Sequence, residues 1–326
     1  MRVFVYLPVV QQLRRLYASP DTAEWLRWAG EHKATNIVKD ITESAGWKKY
    51  AVDTGFFDDL RNIFMGLCVD GVNPFGKSTH STWPIMLTIF NFPPHLRTRS
   101  ELMILIGIIP GPRTPKNINI YLSLFVHELL AYGHNGVWVR DAFKQEAFLL
   151  RFFVLQFIAD YPGASKVLCL KGANALNGCH VCTVKGHKMG KQATQYGDYR
   201  RWLNSDHTWR LDVDIFETKE LRPPPRCKTD SEIRILAIAA QQASDLFGIK
   251  PDSTNDPSGT TSVTGFCALL LLETFEPMSM HCVEPMHILV SLVPHCVRHS
   301  LCCRREVSGT FLECSRASVL LPANPR

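Results

Sequence analysis

Apolar positions at the start of the chain recur at helical spacing. Leu13, Leu16 and Tyr17 fall on one face, and the pattern predicts helix across residues 3 to 33. Within that stretch Asp21-Thr-Ala-Glu24 has the spacing of a capping box ahead of Trp25, Leu26 and Trp28. Residues 36 to 60 are polar and irregular. The period then changes. Ile63 to Asp70, Pro84 to Phe92 and Leu102 to Ile109 are apolar runs separated by Gly71, Asn73-Pro74, Pro93-Pro94 and Pro110-Gly-Pro112. Such runs with short, turn-rich connections predict an antiparallel meander. Residues 117 to 132 return to helical spacing through Ile120, Leu122, Leu124, Phe125, Leu129 and Leu130. A further apolar run, residues 147 to 159, ends at Asp160, and Pro162-Gly163 opens a helix through Leu170.

The order strand, strand, strand, helix, strand, helix predicts an α/β fold. It is compatible with a ribonuclease H-like mixed sheet with flanking helices and a Cys/His-containing insertion. Residues 1–60 form an N-terminal helical region and 61–171 the first part of the sheet core. Residues 172–264 read as a loop-rich insertion that holds Cys179-x-x-Cys182 and Pro223-Pro224-Pro225. Inside it, 231 to 248 look helical and 250 to 264 form a Ser/Thr/Asp/Pro linker. Residues 265–303 are a Cys/His-rich helical segment, and 304–326 an atypical tail without periodicity. No internal repeat is visible.

Composition narrows the class. With 326 residues, 46% hydrophobic and 20% charged, the chain reads as globular. The net charge of +6 is spread out, so it permits a nucleic-acid partner without specifying one. The stretch from Ala147 to Ala159 carries Arg151 and Gln156, and Phe266 to Leu272 is far shorter than the roughly 20 residues a membrane span needs. Gln11, Gln12, Arg14 and Arg15 follow the apolar start, and no small-residue cleavage site argues for a signal peptide. The 11 cysteines then read as reduced thiols or metal ligands.

Two aspartates close predicted strands. Asp70 ends Gly66-Leu-Cys-Val-Asp70, and Asp160 ends Phe157-Ile-Ala-Asp160. On neighbouring strands they would converge, and convergent carboxylates bind hard divalent cations for phosphodiester cleavage. Equally, an aspartate before Gly or Pro is a common turn former. Cys179-x-x-Cys182 reads either as half of a tetrahedral zinc site or as two free thiols in a loop. Glu284 with His287, or His281 with Cys282 and His287, are candidates for the other half. Glu284 and His287 would share a helix face. Cys296, Cys302 and Cys303 read as core filling, and His295 and His299 as helix surface. Lys185, His187, Lys188 and Lys191, with Arg200, Arg201, Trp202 and Trp209, read either as a salt-sensitive DNA contact or as a solvated loop.

Several segments carry a resemblance. Val69-Asp70-Gly-Val-Asn-Pro-Phe75-Gly, Ser81-Thr-Trp-Pro-Ile85, Ile108-Ile-Pro-Gly-Pro112, Ile120-Tyr-Leu with Glu128-Leu-Leu, and Ala159-Asp160-Tyr-Pro-Gly-Ala164 come in that order. Tyr199-Arg-Arg-Trp-Leu203, Leu221-Arg-Pro-Pro-Pro225 and Val283-Glu284-Pro-Met-His287 follow, and Tyr6-Leu-Pro through Trp25-Leu-Arg-Trp28 precedes them. In sequence and order they resemble the tnp2 transposases of the CACTA (En/Spm) class, over about residues 3 to 300.

The resemblance implies a DDE-type DNA transposase ancestry with a ribonuclease H-like catalytic core. It implies Asp70 and Asp160 as catalytic ligands of Mg2+ or Mn2+, and a zinc site pairing Cys179 and Cys182 with Glu284 and His287. The implied partners are double-stranded DNA at transposon ends and a second copy or another transposon-encoded protein, in the nucleus. No compact Lys/Arg cluster supports that address independently. The family's D-x-MH aspartate is Glu284 here. Its third catalytic acid lies on a helix beyond that element, whereas this chain ends soon after His287 with a tail unlike the family. The expectation is therefore a C-terminally truncated relative with little or no strand-transfer activity, or a non-catalytic zinc-stabilised module for binding DNA or protein.

Overall fold

The computed structural model describes residues 3–32, 38–52, 54–75, 81–186, 194, 226–247 and 262–283. The described residues up to Cys282 belong to one compact unit. Helix runs through α1 (Val9–Tyr17), α2 (Pro20–Trp25) and α3 (Trp28–Glu31). The break between the first two falls at Ser19-Pro20, because proline is tolerated at a first helical position but not inside a helix. The capping box anticipated at Asp21–Glu24 is absent: Asp21 lies within the first turn of α2, and Ser19 at the N-cap makes no side-chain cap bond. The Thr22 hydroxyl instead donates back to the Leu16 carbonyl. A capping box does form further on, where Asp40 and Glu43 bracket a 3-10 turn over Ile41–Glu43.

The start of α1 has no cap of its own, since Pro8 offers no side-chain acceptor. The open amides are met from a distant element. Glu128, the last residue of α5 (Asn119–Glu128), accepts from the Val9 and Val10 amides at 2.9 and 2.7 Å, and from the Tyr6 hydroxyl. A carboxylate there also meets the positive end of the helix dipole. Glu128 belongs to one of the segments that carry the family resemblance, and here its role is a cap.

The main sheet runs in the order β3 (Ile104–Ile109), β2 (Trp83–Ile89), β1 (Ile63–Val69), β6 (Phe152–Ala159) and β7 (His281–Val283). β1 (Ile63–Val69), β2 (Trp83–Ile89) and β3 (Ile104–Ile109) pair antiparallel, as the meander pattern predicts. β6 (Phe152–Ala159) pairs parallel to β1. β1 is central and buried on both faces, which explains its unbroken apolar reading. Ile63, Met65, Leu67 and Val69 face a core shared with α1 and α5. Phe64 faces the other way, onto Trp47, Ala29, Ala51 and Leu155. Trp47, Phe56 and Phe57 sit 4.8, 4.8 and 5.4 Å from the Phe64 ring by centroid. The stretch that reads as irregular from its polarity thus covers the second face, through short turns including α4 (Ala45–Trp47).

One element escaped the sequence pattern. The apolar run at 147 to 159 is two strands divided at Arg151. β5 (Glu146–Leu150) pairs antiparallel with β4 (Val137–Asp141) in a separate two-stranded sheet. Its turn is built on the fully buried Asp141, whose Oδ1 accepts from the Phe143 and Lys144 amides at 2.9 and 3.0 Å. Arg61 reaches Asp59, Glu146 and Asp141 at 2.8, 2.7 and 3.7 Å while its guanidinium lies over Phe148. Asn135-Gly136 ahead of Val137 was the available turn signal.

α6 (Tyr161–Val167) follows β6. Later come α7 (Asp230–Phe247), a 3-10 turn at Ala268–Leu271, α8 (Pro277–Met280) and the short β7 (His281–Val283). No helix among the described residues is long and apolar enough to cross a membrane.

If Glu128 caps α1, Glu128→Ala should cost about 1–2 kcal/mol in urea unfolding, the usual worth of a lost N-cap. Tyr6→Phe, which leaves both amide bonds in place, should cost less. An unchanged midpoint for Glu128→Ala would show that the cap contributes nothing.

Candidate active site

The parallel pairing of β1 and β6 sets the site. The last registered pair is Cys68↔Ile158. Two residues further along each strand are Asp70 and Asp160, so both leave the same end of neighbouring strands. Adjacent strands lie about 4.8 Å apart. Both aspartates are half-buried.

Asp160 is the N-cap of α6, and its Oδ1 accepts from the Gly163 amide at 2.6 Å. The turn depends on that glycine. A Cβ at position 163 would lie 2.7 Å from Asp160 Oδ1 and 3.3 Å from the Val69 carbonyl oxygen. The absence of a side chain lets α6 start directly against the end of β1. A carboxylate offers about four lone-pair positions, so one backbone bond leaves acceptor capacity for a cation.

Asp70 sits in a turn that three of the resembling segments build together. Its Oδ1 accepts from the Gly71 amide at 2.6 Å. A Cβ on Gly71 would meet indole atoms of Trp83 at 2.8 Å, so the indole lies flush on the Asp70-Gly71 backbone. The Trp83 Nε1 donates to Ser81 Oγ at 2.8 Å, and the Ser81 amide donates to the Pro112 carbonyl at 2.9 Å. Reciprocal backbone bonds between Val72 and Thr82, at 2.8 and 2.9 Å, extend the hairpin past β1. The segments around Asp70, Trp83 and Pro112 therefore form one support for the first aspartate.

These carboxylates suit hard, oxygen-preferring cations such as Mg2+ and Mn2+. Among the described residues no group of three or more His, Cys, Asp or Glu side chains is arranged to hold a metal.

A second cluster lies at the Cys179–Cys182 turn. The sulfurs are 3.4 Å apart, and the Cys182 amide points at Cys179 Sγ. Burial, with Cys179 alongside, pushes the Cys182 thiol up to about 11. Two thiols this close fit two corners of a tetrahedral soft-metal site. The stretch from Arg226 to Lys228 braces the turn. Thr183 donates to the Arg226 carbonyl at 3.0 Å, the Lys228 amide donates to Val181 at 2.9 Å, and Lys228 Nζ donates to the Cys179 carbonyl. The proposed partners Glu284 and His287 lie outside the described residues. His281 is described, but its ring neighbours Phe157 and His180 at 5.6 and 6.0 Å.

His180 was missed in the sequence, where it is an unremarked residue inside the Cys-x-x-Cys turn. It is buried, with its ring stacked on Tyr161 at 3.9 Å and 9°. Its Nε2 lies 3.1 Å from Ser165 Oγ and 3.2 Å from the Lys171 carbonyl. Burial, reinforced by His281, lowers its pKa to about 4, so the ring is neutral. The Tyr161 hydroxyl donates to the Gly178 carbonyl.

Of the basic and aromatic positions, Lys185 is exposed. His187, Lys188, Lys191, Arg200, Arg201, Trp202 and Trp209 lie outside the described residues, as do His295, Cys296, His299, Cys302 and Cys303. So do the segments at 199 to 203 and 221 to 225, the linker from 250 to 261 and the tail from 304 to 326.

The described fold is a mixed α/β sheet with an aspartate just past the end of each of its two parallel strands. The chain matches the transposase family tnp2 over residues 35–239, more than half of its length, and it belongs to that family. A comparison with curated proteins finds no match.

Gly163→Ala should destabilise the chain by about 1–3 kcal/mol in chemical denaturation, the usual cost of overpacking a tight contact. A neutral effect would mean that α6 starts without needing the close approach to Asp160 and β1.

Proposed function

We propose that this transposase-derived chain carries part of a DDE-type catalytic centre on a ribonuclease H-like sheet, with Asp70 and Asp160 as ligands for Mg2+ or Mn2+. The observation that carries this reading is the register that leads both aspartates off adjacent ends of β1 and β6. Membership in the tnp2 family and the order β3-β2-β1-β6, antiparallel up to β1 and parallel after it, support it.

Asp70 and Asp160 would hold the divalent ions, which would supply activation of an attacking oxygen and charge compensation on the leaving one during phosphodiester cleavage. The chain's own contribution is to aim the two carboxylates. Gly163 and the α6 turn orient Asp160, and the Gly71–Trp83 contact fixes the backbone that bears Asp70. The substrate is double-stranded DNA at transposon ends. A second copy or another transposon-encoded protein would act alongside, in the nucleus. The mild net charge of +6 suits a polyanionic partner.

One observation favours a second reading, a non-catalytic zinc-stabilised module that binds DNA or protein. The cysteine pair is already within chelating distance at 3.4 Å.

Manganese titration followed by electron paramagnetic resonance separates the two. Asp70→Asn and Asp160→Asn should each weaken Mn2+ binding by about tenfold or more, since each removes a charged oxygen ligand. Unchanged Mn2+ affinity in both variants, with zinc retained by the cysteine pair, would replace the catalytic reading by the module.

A further inference from the structure

The two candidate metal clusters are joined by one short latch. Tyr161 follows Asp160 directly, at the start of α6. Its hydroxyl donates to the Gly178 carbonyl, one residue before Cys179, and its ring lies flat on His180 at 3.9 Å. His180 in turn reaches Ser165 Oγ at 3.1 Å, one turn further along α6. The Ser165 hydroxyl also donates to the Tyr161 carbonyl at 2.9 Å. The cysteine turn thus grips the helix whose N-cap is Asp160 at two successive turns. Any shift of Gly178–Cys182 must be passed to Tyr161 or break both contacts.

We propose that Tyr161 is a positioning residue that couples zinc at Cys179 and Cys182 to the metal affinity of Asp160. The inference rests on the metal-ligand roles proposed above. Zinc fixes the spacing of the two sulfurs, and with it the carbonyl of Gly178 and the ring of His180. Those two groups hold Tyr161, and so the direction of the Asp160 carboxylate. Removing zinc leaves the turn to its bonds with Arg226–Lys228 and so loosens the carboxylate without touching it. Partners of this kind, which orient a ligand but do not bind the metal, commonly shift metal affinity by about 10–100-fold.

The test uses the full chain, with and without zinc, and reads Mn2+ affinity by electron paramagnetic resonance. Stripping zinc from the unaltered chain should weaken Mn2+ binding by about tenfold. Tyr161→Phe keeps the stacked ring and loses the hydroxyl bond. Its Mn2+ affinity should already be lower with zinc present and should respond to zinc less than that of the unaltered chain, the His180–Ser165 contact remaining. His180→Phe, which keeps a stacked ring and loses the bond to Ser165, is the second variant should Tyr161→Phe fail to fold, and it should behave the same way. A merely structural role would lower stability and leave the zinc response intact. Mn2+ affinity that ignores zinc in the unaltered chain, or a full zinc response in the variants, overturns the coupling. Failure of the underlying reading looks different: Asp160→Asn would then leave Mn2+ binding unchanged, or Cys179→Ser with Cys182→Ser would leave zinc content unchanged.

Discussion

The parallel pairing of β1 with β6 is the constraint on which the rest depends. Antiparallel strands can be joined by a tight turn, but a parallel pair needs a long crossover. Here that crossover contains β2, β3, α5 and the β4–β5 hairpin. A central parallel pair must also be covered on both faces, because its strands are apolar on both. α1 and α5 cover one face, and the aromatic turns from Ala45 to Asp58 the other. A slip of one residue in this pairing would reverse which face each side chain of β6 presents. It would also break the match between Asp70 and Asp160.

Around that pair the polar groups are spent on fixing turns. Glu128 closes the start of α1, Asp141 closes the hairpin turn, and Asp160 closes the start of α6. Asn119 does similar work deeper in the core, donating to the Val167 carbonyl and accepting from the Ala268 amide at 2.8 Å. Arg234 on α7 donates to the carbonyls of Leu270, Leu272 and Phe275, which anchors the chain leading to His281. Each joins elements far apart in sequence. A buried polar group without such a partner costs about 1–3 kcal/mol, so these contacts select one arrangement over its neighbours.

Strands β1, β2, β3 and β6, with α5 and α7, were legible because their periods are set by burial on a single face or on both, whereas the three-residue β7 falls in a stretch that reads as helical. The Asp70 and Asp160 positions were legible as strand ends, and their juxtaposition followed once the strand order was known. The hairpin was not legible, since Phe148 and Leu150 run on into Phe152 without a turn residue and only Arg151 divides them. The role of the 41 to 58 region was hidden because Trp47, Phe56 and Phe57 are scattered among polar residues at no fixed spacing. Asp21–Glu24 had the letters of a capping box, but Pro20 had already started the helix. His180 and Tyr161 carry no periodic signal, since a stack between a turn and a helix is a tertiary event.

The distant cap on α1 bears on where this protein can be cut. The family match begins at residue 35, past α1, α2 and α3. A fragment started there would lose Val9, Leu13, Leu16 and Tyr17 from the core cluster they share with Leu122 and Phe125. Glu128 would be left with no amides to receive. The segment from α1 to α3 is thus an integral wall of the domain, and a boundary drawn by sequence similarity would run through its interior.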